Sequence, residues 1–204
     1  MLSQLDNIIF PDRCDVLEIV PSQRYVYPIF KNGSSSLYQD NYRIVSEEEL
    51  KNISVVDIYV RDSYERFISG VQTFLTHNID LDEKTLLSII GSHLFLNRHF
   101  CPQFYWLVNL QRFTNAKIRI NSVNSLNEIT KQHSNQQVKR QMIDDYFKHN
   151  DKLHFYLSID KVLTESLIGF TVEFKDIVKL IKIRHSEVYK EAVQRSIDLC
   201  NVLA

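Results

Sequence analysis

Glycine and proline are scarce in this chain, four of each in 204 residues, which argues against linkers and low-complexity segments. Cysteine is scarcer and odd in number. Cys14, Cys101 and Cys200 lie far apart, which excludes a disulfide framework or metal-ligand spacing and points to buried or idle thiols in a reducing compartment. An excess of either charge is also missing: 24 Lys and Arg against 25 Asp and Glu leave a net charge of −1. That balance provides no global field for nucleic acid or an anionic membrane, so any positive potential must be local. No stretch approaches the ~20 uninterrupted apolar residues of a membrane span. The segment Met1-Leu2-Ser3-Gln4-Leu5-Asp6 lacks the basic start and apolar core of a signal peptide. The expectation is a soluble, cytoplasmic chain with no internal repeat. Hydrophobic residues make up 44%, enough to build the core of one compact domain over residues 1–204.

The most informative stretch that is present is Lys31-Asn32-Gly33-Ser34-Ser35-Ser36, directly after the β-prone run Tyr25-Val26-Tyr27-Pro28-Ile29-Phe30. Gly33 permits close approach of backbone to a ligand, and the serine amides and hydroxyls are donors suited to an oxyanion. Lys31 adds a mobile positive charge. A second strand, Val55 to Val60, is rich in β-branched residues and suited to cover on both faces. Arg61 stands at its C-terminal end, where ligands of open α/β sheets bind. Tyr64, Phe67, Ile68, Val71 and Leu75 then recur at helical spacing. Asp62 and Glu65 resemble a capping box that starts this helix near Ser63. Arg66, Ser69 and Thr73 would share its polar stripe. Arg61 and Ser69 together can clamp one phosphate, with Arg66 either assisting or pairing with Asp62 at the surface.

Around these motifs the pattern predicts a helix from Ser34 to Gln39 and a helical turn or loop at Glu47 to Leu50. Leu86, Leu87, Ile90 and Leu94 mark another amphipathic helix, and Pro102 opens one carrying Phe104, Leu107, Val108 and Gln111. Ala116 to Ile120 reads as a strand, with Asn121 or Ser122 opening a short helix. Val138, Met142, Ile143, Tyr146 and Phe147 suggest a helix, Leu153 to Ile159 a strand, and Phe174 to Ile183 and Ser186 to Leu203 helices. The alternation of strands and helices predicts an α/β fold on a parallel sheet.

Strand-Lys-x-Gly-Ser-Ser-Ser-Leu, followed by strand-Arg-Asp-x-Tyr-Glu-Arg-Phe-x-Ser-Gly, resembles the sulfotransferase family, closest to its carbohydrate sulfotransferase branch. Asn97-Arg98-His99-Phe100-Cys101-Pro102-Gln103 is similar to the His-aromatic-x-Pro-Gln segment downstream in those enzymes. The resemblance covers roughly residues 25 to 105 and implies a P-loop-like three-layer α/β/α sandwich. It implies 3′-phosphoadenosine 5′-phosphosulfate (PAPS) as co-substrate and no metal. Lys31 would contact the transferring sulfuryl group, and Asn32, Gly33, Ser34, Ser35 and Ser36 would belong to the loop that cradles the 5′-phosphosulfate. Arg61 and Ser69 would hold the 3′-phosphate. The chain departs from the family pattern in having Ser63 where proline is usual and serines where many members have threonine. No membrane anchor of the kind the Golgi enzymes carry is expected. The acceptor implied is a hydroxyl of a carbohydrate or small metabolite.

Sulfuryl transfer resembles phosphoryl transfer in building charge on a leaving phosphate, which Lys31 and the loop donors would stabilise. A base must take the acceptor's proton. His99 is the first choice; His77 and the glutamates Glu47, Glu48 and Glu49 are alternatives, although three glutamates in a row also read as a solvated helix start. Phe104, Tyr105 and Trp106 either line an acceptor pocket or belong to the core. A non-catalytic module that binds PAPS or its product, and a P-loop-type kinase, are the rival readings. The kinase reading is the weaker, because Gly-x-x-x-x-Gly-Lys-Ser/Thr is absent and no carboxylate is visibly placed for magnesium. None of these motifs encodes the acceptor's identity or the oligomeric state.

Overall fold

The computed structural model describes residues 14–38, 41–77, 82–92, 98–126 and 134–188. Its strands are β1 (Leu17–Ile19), β2 (Arg24–Val26), β3 (Tyr42–Ile44), β4 (Val55–Val60), β5 (Lys117–Ser122) and β6 (Thr171–Val172). The helices are α1 (Ser34–Leu37), α2 (Glu47–Leu50), α3 (Ser63–His77), α4 (Glu83–Ser92), α5 (Gln103–Gln111), α6 (Ser134–Phe147), α7 (Asp151–Leu157), α8 (Phe174–Arg184) and α9 (Ser186–Val188). The six strands form one sheet in the order β3-β1-β2-β4-β5-β6.

The fold is α/β, but the sheet is mixed, where the sequence pattern predicts a parallel one. β2, β4 and β5 run parallel at its centre, while β1, β3 and β6 pair antiparallel at the flanks. The parallel centre carries the two predicted anion-binding motifs. β2 is shorter than the expected strand from Tyr25 to Phe30; Tyr27 still donates its amide to Asp57, and the chain then leaves the sheet toward Lys31.

Along β4 the side chains alternate. Val56, Ile58 and Val60 enter the main core with Phe67, Ile68 and Val71 of α3, and with buried residues of α4 to α8. Each fully buried aliphatic or aromatic side chain of this kind contributes about 1.5–3 kcal/mol. On the opposite face Tyr59 joins a small cluster with Leu17, Val26 and Leu37. Both faces of β4 are thus buried, as its composition predicts.

One predicted strand is a helix. Leu153 to Ile159 is β-like in composition, yet the Asn150 side chain caps the amide of Leu153, and Leu153, Tyr156 and Leu157 share one buried helical face. A 3-10 turn at Ser158–Asp160 and a π-helical turn at Val162–Ser166 follow. The short helix expected after β5 is a 3-10 turn, Val123–Ser125, capped by Ser122. Leu94, Asn97, Gln39, Cys200 and the predicted helix beyond Val188 lie outside the described residues. Cys14 and Cys101 are free and buried, and burial pushes their thiols up to about 12 and about 11 respectively. No helix among the described residues is long and apolar enough to cross a membrane.

Candidate functional site

The Lys31 turn begins on a strained backbone. Lys31 has φ +68° and Gly33 φ +76°, two left-handed residues within three positions. For a lysine this conformation costs free energy, and such strain persists only where the surroundings enforce it. The enforcing groups are polar and come from distant segments. Arg61 Nη1 donates to the carbonyl of Lys31 at 3.3 Å. Asn32, only 1% exposed, donates from Nδ2 to the carbonyl of Tyr59 at 2.7 Å and to Gln103 Oε1 at 2.6 Å. At Gly33 an added methyl would lie 2.8 Å from Leu126 Cδ1, so the turn sits directly against the loop after β5.

Gln103 joins the second motif to the first. Its Oε1 accepts from the Arg61 amide at 3.2 Å, and its Nε2 donates to the Arg61 carbonyl at 2.9 Å. Gln103 is itself held by Asp160, a fully buried carboxylate. Asp160 accepts from the backbone amides of Gln103 at 2.7 Å and Phe104 at 2.9 Å. These are orphan donors at the start of α5, where Pro102 occupies the cap position without a side-chain bond of its own. Burial raises the Asp160 carboxyl, while those amides and nearby Arg66 pull it down.

Arg66 corrects an expectation. It is neither a ligand-facing cation nor a surface partner of Asp62, because its side chain is 1% exposed and turned inward. Nε donates to the carbonyl of Phe30 at 2.9 Å, Nη1 to that of Cys101, and Nη2 to that of Arg98 at 3.1 Å. One guanidinium therefore ties the residue before Lys31 to the Arg98–Cys101 segment. Asp62 instead caps α3, accepting the Glu65 amide at 2.9 Å, and the helix starts at Ser63 as its sequence predicts.

Lys31 Nζ donates to Thr73 Oγ1, and that hydroxyl donates to the carbonyl of Ser69. Lys31, Arg61 and Ser69 thus lie in one hydrogen-bonded neighbourhood at the C-terminal ends of β2 and β4. His99 adjoins it: its ring packs on Phe30 with centroids 5.3 Å apart, and its carbonyl abuts Gly70, leaving no room for a side chain there. Ser34 and Ser35 begin α1, half-buried and exposed respectively; the side chains of Ser36 and His77 lie outside the described residues. Glu47, Glu48 and Glu49 form the first turn of α2. Glu49 completes a capping box with Ser46, and hydrogen bonds from Arg43 and Ser46 hold its carboxyl down to about 2. Phe104, Tyr105 and Trp106 are core residues, Trp106 packing on Phe30 at 5.0 Å.

Burial dominates the electrostatics of this neighbourhood. Burial lowers the Lys31 ammonium from its ordinary value, and Arg66 lowers it further. Burial likewise lowers the Arg61 guanidinium; Glu65 opposes that shift and Arg140 adds to it. Burial is the first cause in both, a cost that no neighbouring carboxylate fully offsets. Among the described residues Lys31 has no carboxylate within ion-pair distance. No cluster of three metal-ligating side chains occurs among those residues. The arrangement can hold an anion.

No protein-family model, curated protein or solved structure matches this chain.

The roles of Arg66, Asp160 and Arg140 escape a reading of short motifs. Asp160 and Arg140 lie far along the chain from the segments they bind, and Arg66 sits on a helical face that pattern alone assigns to water. A charged residue inside the apolar stretch Leu157-Ser158-Ile159-Asp160-Lys161-Val162-Leu163 is the one local signal for Asp160.

Proposed function

We propose that this chain is a PAPS-dependent sulfotransferase that moves a sulfuryl group to a hydroxyl of a carbohydrate or small metabolite. The observation that carries the reading is the meeting of three separated motifs. The Lys31 turn, the Arg61–Ser69 segment and the His99–Gln103 segment join in one hydrogen-bonded network. The three-layer sulfotransferase sandwich belongs to the same proposal, supported by the parallel centre of the sheet and the position of both motifs at its C-terminal edge.

In this reading Arg61 and Ser69 take the 3′-phosphate and the turn from Lys31 to Ser36 takes the 5′-phosphosulfate. The acceptor oxygen forms a bond to sulfur as the bond from sulfur to the 5′-phosphate oxygen breaks. The departing phosphate carries the electron pair away and Lys31 stabilises its charge. The acceptor's proton passes to His99, or to His77 or one of Glu47, Glu48 and Glu49. Glu49 is the weakest of these, since its cap and Arg43 make it a poor proton acceptor.

The test is transfer of labelled sulfate from PAPS to a panel of hydroxyl acceptors. Transfer by the wild type that falls at least ~100-fold in Lys31→Ala supports the proposal. Nucleotide binding with no transfer to any acceptor would instead mark a binding module, and preference for ATP with magnesium would mark a kinase. Full transfer activity in His99→Ala would move the base to another residue.

A further inference from the structure

The Glu65 carboxylate sits between two guanidiniums from different parts of the chain. Arg140, from α6, donates to both of its oxygens at 2.5 Å, and Arg61 Nη2 lies 3.6 Å from Oε2. The two arginine side chains are each 27% exposed and Glu65 is 44% exposed, so the carboxylate is the solvent-facing member. One carboxylate cannot neutralise two guanidiniums, and the trio keeps a net positive charge. Burial is the first cause that lowers Arg61; Glu65 and Asp62 oppose that shift and Arg140 adds to it.

An interhelix salt bridge that pins α6 to α3 is the ordinary explanation. It is not required for that purpose. Tyr64 already donates to Asp144 Oδ1 at 2.9 Å one turn further along α6, and Phe147 packs edge-on to Phe67 at 5.0 Å in the core. Ile143 and Phe147 are fully buried. With packing and a second polar link in place, a half-exposed ion pair adds little to docking.

We infer that Arg140 is a third cation of the anion site and that Glu65 occupies the place of the ligand's phosphate until a phosphate monoester displaces it. This rests on the nucleotide reading above. A phosphate dianion carries twice the charge of the carboxylate and more acceptor oxygens, so it can satisfy both arginine forks where Glu65 only shares them. Displacement lets Glu65 turn outward to water, which its exposure permits. The glutamate thereby sets affinity and disfavours small singly charged anions, because every ligand must outcompete a carboxylate already in place.

The experiment titrates inorganic pyrophosphate and, separately, 3′-phosphoadenosine 5′-phosphate into the full chain by calorimetry, without magnesium and at low salt. Glu65→Gln is expected to tighten both by about 5- to 10-fold, and Arg140→Ala to weaken both by at least about 10-fold. Arg140→Lys should recover part of that loss, and Glu65→Gln should give no gain in an Arg140→Ala background. Thermal midpoints check folding; if Arg140→Ala does not fold, Glu65→Gln decides alone. Unchanged or weaker binding in Glu65→Gln overturns the inference, because a merely structural bridge predicts that outcome. Nucleotide binding insensitive to both substitutions overturns it while leaving the nucleotide reading intact. Pyrophosphate binding in the expected order, with no nucleotide binding, keeps the inference and removes the reading. Absence of binding by both the wild type and Glu65→Gln overturns the inference.

Discussion

Midway along β4, Asp57 is buried between Arg24 of β2 and Arg119 of β5, with its oxygens 2.7 Å and 3.5 Å from their Nε atoms and Asn121 donating at 3.3 Å. At the C-terminal end of the same strand, Arg61 and Arg140 share the half-exposed Glu65 with Asp62 nearby, Arg61 also bonds the carbonyl of Lys31, and Arg66 lies buried beside Asp160. The contrast lies in the sign of the response. Asp57 raises Arg24 above its ordinary value, whereas Lys31, Arg61 and Arg66 are all lowered, burial being the first cause in each. At mid-strand the Asp57 hydrogen bond outweighs the cost of burying Arg24. At the strand end no neighbouring group outweighs that cost for Lys31, Arg61 or Arg66, and in the nucleotide reading an external anion would do so for Lys31 and Arg61. In the nucleotide reading the first pattern belongs to stability and the second to a ligand, Arg66 excepted because its guanidinium is taken up by three backbone carbonyls.

Substitutions should separate the two clusters. Arg66→Met removes three carbonyl partners from a fully buried position, and its cost is expected to be the largest, about 3–5 kcal/mol by urea unfolding. Nucleotide binding should be lost with it, because the Lys31 turn and the His99 segment come apart. Gly70→Ala follows at about 2–4 kcal/mol, because the new methyl would run into the backbone of His99, whose carbonyl carbon lies 2.7 Å away. At mid-strand, Asp57→Ala should cost about 2 kcal/mol and leave nucleotide affinity within about 2-fold of the wild type. A tenfold loss of affinity in Asp57→Ala would erase the distinction between the clusters.

Lys31→Met reverses the pattern. Its stability should be unchanged or higher by at most about 1 kcal/mol, since water screens the half-exposed ammonium, while nucleotide affinity falls at least about 10-fold. The smallest effect is on pH dependence. Because the folded Lys31 is lowered, the unfolded chain binds a proton over a window below the ordinary lysine value in which the folded chain has released it. Stability of the wild type relative to Lys31→Met should therefore rise with pH through that window. Nucleotide affinity should fall there, since the bound anion favours the protonated amine. A flat difference between the two proteins in thermal melts across alkaline pH would remove Lys31 from the set lowered by burial.

Much of this site lies in local sequence. Asp62 at the cap of α3 is set by neighbours within a turn, so a short motif reveals it. Val55 to Val60 declares itself by β-branched composition. β1, β3 and β6 are three, three and two residues long, too short for periodicity to emerge, and they turn a parallel expectation into a mixed sheet. Leu153 to Ile159 misleads because its apolar run satisfies either period, and the Asn150 cap decides it. The links from Arg66 to Arg98, from Gln103 to Asp160 and from Glu65 to Arg140 are tertiary. No spacing rule encodes a guanidinium that folds inward to three carbonyls.

The central claim is that the strand-end cluster is a nucleotide-phosphate site. Calorimetric titration of 3′-phosphoadenosine 5′-phosphate without magnesium, into the wild type and into Arg61→Ala, tests it most directly. The expected result is binding by the wild type, weakened at least about 10-fold by the substitution, with both proteins equally folded. No binding by the folded wild type, or equal binding by both, would contradict it.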